Sequence, residues 1–247
     1  MFYEPVPSER YFERDRKYAE INWTYFPGIV DAFERRIRGW YIEPIEILLE
    51  RGVNRHVRRV VCCLANRHDG GHYSFAVMAM TCLLIDTLSQ FQRGLLKATT
   101  SAFKAFVIHD LPSYNVTISP AIDDYGRGAG DPKQLSNIAD VLYTGFRCGI
   151  LHQAHAPLYC GIRPGNVPPI IEPTDHAKYA AGATKSTVGG DCAVVVIYPE
   201  HLFDEVMSFF AKYLSKLKDS DSKNNQLRDD FKKKFADSFG IDISGAS

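Results

Sequence analysis

Between Phe75 and Ile85 only Thr81 interrupts a run of apolar side chains. The wider stretch from His72 to Arg93 sets Val77, Met80, Leu84, Leu88 and Phe91 on one helical face, and Ala76, Leu83 and Thr87 widen that face. A helix apolar on almost every side has to be enclosed by other elements, so a bundle built around this segment is expected. The uninterrupted run is well short of the roughly 20 apolar residues that cross a bilayer, which excludes a transmembrane helix here and predicts no membrane partner. Asp86 interrupts the helix and must either reach a partner or face a cavity.

The flanking sequence repeats the helical pattern. Ile29, Val30, Phe33 and Ile37 keep a three-four spacing after Pro27-Gly28, predicting a helix to about Arg38. Pro44 suits the first turn of a second helix that ends at Gly52. A third is predicted over residues 97–108, carrying Phe103, Phe106 and Val107. Residues 110–133 hold prolines, glycines and excess acid and read as a long loop. Ser136 is a candidate N-cap for a helix from about Asn137 to Leu151. After Pro157 the texture changes. Val167–Ile171 and Ala193–Tyr198 read as two strands, and Pro199 opens a final helix with a charged tail. The expected fold class is mainly α, a bundle of four to five core helices with a small C-terminal β appendage and terminal helix. The expected division is an extension over 1–27 wrapping the surface, a bundle over 28–156, and a hairpin with C-terminal helices packed on it over 157–247.

The 29 basic and 29 acidic residues balance, which rules out a globally basic nucleic-acid binder but leaves room for a local patch. Residues 34–59 and the tail near 212–234 each carry an excess of positive charge; such stretches are usually solvated helix faces. Six cysteines, mostly inside apolar runs and without a Cys-x-x-Cys pair, suit reduced thiols in a cytoplasmic protein. The first residues lack the basic-then-apolar order of a signal peptide.

One segment carries chemistry: Tyr143-Thr144-Gly145-Phe146-Arg147-Cys148-Gly149-Ile150-Leu151-His152. A neutral imidazole can take a proton from a hydroxyl near neutral pH, and a guanidinium can hold a phosphoryl oxygen as charge develops on it. No metal or cofactor is needed if the nucleophile is the substrate's own 2′-hydroxyl. Arg-x4-His also occurs at Arg51/His56 and Arg67/His72, but the first spans Gly52 and the second spans Asp69-Gly70-Gly71. Only Arg147/His152 lies in a helix that a core could hold. Five residues on an ideal α-helix are roughly 140° apart, so the two side chains converge only at a seam or where the helix distorts. Gly145 and Gly149 form a flat strip that receives either a large side chain of the same chain or the same helix of a second copy, making a homodimer.

Phe-Arg-x-Gly-x-x-His at the end of a helix in an α bundle resembles the HEPN superfamily, over about residues 28–156. The resemblance implies a metal-independent endoribonuclease with Arg147 and His152 as the catalytic pair and Asp86 as their polar partner from the long helix. It also implies RNA as substrate, a dimer with a composite site, and a cognate antitoxin or defence-system partner protein. Cys148 follows the arginine where ribonuclease members often carry Asn, Asp or His.

Other chemistries remain open. A metal site would gather His68, His72, His152 and His155 with Cys148 or Asp86, though without a closing thiolate pair. Cys148 itself, four residues before His152, could be a nucleophile or a packing residue. Asp86 could orient His152 by accepting its ring N–H, or simply satisfy a buried donor. The lysine-rich tail could bind phosphates. A non-catalytic helical module that binds RNA or a protein is the alternative function.

Overall fold

The computed structural model describes residues 12–13, 16–50, 71–124, 133–153, 156–157, 159–173 and 193–246. Arg51/His56, Arg67, His68, His155, the 60–65 apolar run and the cysteines at 62, 63 and 192 lie outside the described residues, as does the side chain of His72. The described chain is mostly helical, with two small sheets.

Helix α1 (Phe26–Ile37) does not end where the sequence pattern suggests. It passes through a widened turn, Arg38–Ile42, in which the Glu43 N–H donates to the Arg38 carbonyl, and stays helical over 43–50. Two separate helices were expected. Pro44 has no N–H for the regular ladder, and a wide turn just before it lets the helix continue past the gap.

The apolar segment is α2 (Gly71–Gln92), the centre of the structure. Its Tyr73–Gln92 portion is long and apolar enough to cross a membrane, so run length alone was too strict a criterion; here the segment is mostly buried inside the protein. Gly94 ends α2 with a φ of 58°, a conformation that glycine adopts without strain. Helix α3 (Thr100–Asp110) follows, its N-cap hydroxyl on Thr99 accepting from the Ala102 N–H at 3.1 Å.

The expected loop over 110–133 contains a strand instead. β1 (Thr117–Asp124) pairs antiparallel with β2 (Lys133–Asn137), Ile122 lying opposite Leu135. Ile118, Ile122 and Leu135 bury one face, but Pro120 and the acids at 123 and 124 hide the alternation in sequence.

Helix α4 runs from Ile138 to Gln153 in three parts: Ile138–Val141, a widened turn Leu142–Cys148, and Gly149–Gln153. Its N-cap is Asn137 rather than Ser136: the Asn137 side chain accepts from the Asp140 N–H at 2.8 Å. The Ser136 N–H instead donates to the Asp140 carboxylate.

A three-stranded sheet follows, where two strands were expected. β3 (Cys160–Ile162) lies parallel to β5 (Ala193–Ile197), and β4 (Ile170–Pro173) pairs antiparallel on its other side. β3 is too short and too glycine-rich to show a period in sequence.

The final helical stretch is two helices, α5 (Pro199–Lys218) and α6 (Asn225–Phe239). Between them the Asp219 and Asp221 carboxylates each accept a backbone N–H two residues on, at 3.0 Å, competing with the helical ladder. Both helices pack on α2. Phe33 of α1, Phe91 of α2 and Phe231 of α6 meet ring to ring, at 4.5 to 5.7 Å between centroids.

One hydrophobic cluster extends from Phe12 to Ala246. Of the described residues of the N-terminal extension, Phe12, Ile21 and Phe26 belong to it. Phe12 is buried and packs its ring on Tyr18, Trp23, Phe235 and Phe239, because aromatic side chains this large gain more from burial than from covering a surface.

The lysine-rich tail is largely used for structure. Lys234 is buried and donates to the Leu96 carbonyl and to Asp237, Lys218 pairs with Asp31, and Lys232 donates to the carbonyls of Ser244 and Ala246.

Candidate active site

Helix α4 is anchored at its start and along one face before it presents any chemistry. At its start the Lys104 ammonium of α3 pairs with Asp140. Along its length Ile138, Val141, Leu142, Phe146 and Ile150 are buried in the core. Arg147 follows Phe146 directly and is thereby drawn to the margin of the core.

The structure brings Asp86, Arg147 and His152 together. Arg147 Nε donates to Asp86 Oδ2 at 2.8 Å. Arg147 Nη1 lies 2.8 Å from His152 Nε2. A guanidinium has only donors, so Nε2 is the acceptor and the ring proton sits on Nδ1. The convergence occurs within one chain, in a helix widened over Leu142–Cys148. Of the five steps from Arg147 to His152 only the first lies in the wide turn, so the long arginine side chain, rather than the turn, spans the separation around the helix.

Asp86 serves Arg147, not His152. Of the two roles left open for it, it does not accept the imidazole N–H: the carboxylate holds the guanidinium, which in turn holds the imidazole. Asp86 is only 5% exposed. Burial pushes its carboxyl above the ordinary range, and the bond to Arg147 offsets part of that rise. Burial also works against the Arg147 charge, but Asp86 outweighs it and the guanidinium is held above its usual value. The arginine is therefore a fixed cation.

Two further side chains complete the site. The Tyr143 ring stands 5.7 Å from the Arg147 guanidinium carbon and meets Phe103 edge-on at 5.4 Å. Tyr143 was given no role from sequence, although its position four residues before Arg147 is the signal for such a contact. The Cys148 thiol is half-buried and lies against Arg147. Among the described residues no three His, Cys, Asp or Glu side chains are grouped as a metal site requires.

Gly145 faces inward. A Cβ there would overlap the Cys160 sulfur and stand 3.1 Å from Tyr159 Cε2. The flat strip thus receives the β3 end of the same chain at its first glycine. Gly145→Ala is expected to destabilise the protein by about 1 to 2 kcal/mol. The overlap outweighs the roughly 1 kcal/mol that alanine gains over glycine in a helix. Urea unfolding checks this; a midpoint at or above wild type would show that Cys160 moves aside freely.

No protein-family model matches this chain, and no similar curated protein or solved structure was found. The functional reading rests on the geometry of the site.

Proposed function

We propose that the chain is a metal-independent endoribonuclease of the HEPN type, with α2 and α4 as the two helices of its bundle that carry the site. The observation that carries the proposal is the relay Asp86–Arg147–His152, two contacts of 2.8 Å where α2 and α4 meet.

In this reading Arg147 waits on His152. Its Nε is committed to Asp86 and one N–H to the imidazole, which leaves three of the five guanidinium donors for a ligand. An incoming phosphodiester draws those donors to its non-bridging oxygens. As the guanidinium turns toward the phosphate, His152 Nε2 is released and its lone pair can take the proton of the adjacent ribose 2′-hydroxyl. The 2′-oxygen attacks phosphorus, the bond to the 5′-oxygen breaks, and that oxygen takes a proton from water; the hydroxide left behind is neutralised by the proton that His152 took from the 2′-hydroxyl. Arg147 stabilises the charge that accumulates on the phosphoryl oxygens, and Asp86 keeps the arginine in place while it does so. The products are a 2′,3′-cyclic phosphate and a 5′-hydroxyl.

The experiment is incubation of purified protein with a mixed-sequence RNA and with DNA of the same sequence, each in excess EDTA. The RNA is expected to be cut and the DNA left intact, because DNA lacks the nucleophile. Loss of RNA cleavage in EDTA would favour the histidine–metal chemistry instead. RNA that binds without being cut would leave the chain as a binding module.

A further inference from the structure

Trp40 is the most exposed of the large hydrophobic side chains among the described residues, at 58%. It is not loosely held. Trp40 sits in the widened turn of α1, and the Arg36 guanidinium lies under its ring at 3.8 Å from the centroid. Arg36 is itself buried, stacked also on Phe12 and Phe239 and donating to the Phe12 carbonyl. A buried cation thus supports one face of an indole that stays open to solvent.

Trp40 lines a cavity of about 310 Å³ between α1, α2 and α6. This is at the low end of the size of small-molecule sites. Its lining is apolar at Ile37, Phe91 and Phe239 and polar at Tyr41, Thr87, Ser238 and Gln90; Thr87 donates to the Leu83 carbonyl and Gln90 Nε2 to the Asp86 carbonyl, which leaves the Tyr41 hydroxyl proton, the Gln90 amide oxygen and the Ser238 hydroxyl for a ligand. Such a lining suits a flat heteroaromatic ligand with hydrogen-bonding edges: the face stacks and the polar lining reads the edge. The cations in the wall are held by the protein itself. Arg36 is committed to three rings and a carbonyl, and Lys234 to the Leu96 carbonyl and Asp237. Both are buried, so the exposed indole, rather than either charge, is what the cavity offers first to a ligand.

We propose that this cavity binds a nucleobase, stacked on Trp40 with its sugar and phosphate outside. Thr87 of the lining is the residue after Asp86 on α2, so the cavity and the Arg147–His152 site lie on neighbouring flanks of one helix. A strand held at one flank by its phosphate can place a base at the other. That the base belongs to an RNA strand rests on the ribonuclease reading; the cavity itself does not.

The test titrates single-stranded RNA, DNA of the same sequence, and the four free nucleosides into the His152→Ala protein while tryptophan emission is followed, and repeats the oligonucleotide titrations with end-labelled strands read by fluorescence anisotropy, which does not depend on Trp40. Both oligonucleotides are expected to quench the emission, because stacking uses the base and not the 2′-hydroxyl. Trp40→Ala should weaken oligonucleotide binding about tenfold, the usual scale for loss of one base–aromatic stack. Ser238→Phe, which fills the cavity from an exposed position and leaves Trp40 in place, should weaken it similarly. Nucleosides that bind as tightly as the oligonucleotides would overturn the strand as the source of the base. Oligonucleotide binding that both variants weaken by anisotropy, in a protein that never cuts RNA, would support the cavity and sink the ribonuclease reading. Cleavage with an unchanged KM in both variants would do the reverse. Affinity unchanged by either substitution overturns the proposal.

Discussion

His152→Ala is expected to slow RNA cleavage by a factor of about 10² to 10⁴, the range for loss of a general base. Arg147→Ala should fall at least as far. It removes the group that meets the phosphoryl charge and also the only hydrogen bond that His152 makes to another side chain among the described contacts. The two losses should not multiply. Without Arg147 the imidazole is no longer aimed, so the double variant should resemble the worse single one. Stability separates the pair. His152 is exposed, and its removal should leave the unfolding midpoint near that of wild type. Initial rates and thermal unfolding on the same preparations check both statements.

Asp86→Ala is expected to have the largest effect on stability, about 3 kcal/mol. It leaves the Arg147 charge at the core margin without its partner, and stranded charges of this kind cost about 3 to 5 kcal/mol. The lower end applies because the arginine side chain keeps 18% of its exposure. Asp86→Leu combined with Arg147→Met should recover most of the loss, since neither charge is then left behind. Equilibrium urea unfolding of the three proteins tests this; a double variant no better than Asp86→Ala would show that the pair is not the cause. The pH dependence has a definite sign. Burial raises the Asp86 pKa in the folded chain, so the native state holds that proton at a pH where the unfolded chain has released it. The contribution of Asp86 to stability is therefore greatest in acid and falls as pH rises from the ordinary carboxylate range through its raised value. Asp86→Asn should flatten that part of the profile.

The helices were legible where a full apolar face repeats, as in α2 and α5. They were misjudged where a local device changes the ladder. The widened turn before Pro44 joins two predicted helices, and Asp219 and Asp221 divide a predicted one. The strands were harder. β1 alternates only at Ile118 and Ile122, around a proline, and β3 has three residues. The residues of the candidate site could be named from one segment because arginine and histidine are costly beside an apolar face and need partners. Their connection could not. Nothing in the sequence signals a widened turn at Leu142–Cys148, and helical geometry alone kept Arg147 and His152 apart, a separation that the long arginine side chain spans. The same limit left the partner of Asp86 open: the carboxylate reaches Arg147 Nε across the α2–α4 contact, a fact of packing and not of spacing. Trp40 gave no signal at all, because one exposed tryptophan looks like any other until its neighbours are placed.

The central claim is that Arg147 and His152 together turn a ribose 2′-hydroxyl on its own phosphate. End-group analysis of the cleaved RNA by mass spectrometry tests this most directly, since the chemistry of the nucleophile is written in the product. Fragments ending in 2′,3′-cyclic phosphate and beginning with 5′-hydroxyl, formed in EDTA and absent with His152→Ala, are the predicted result. Fragments ending in 3′-hydroxyl and beginning with 5′-phosphate would mean that activated water made the attack, and would contradict the account.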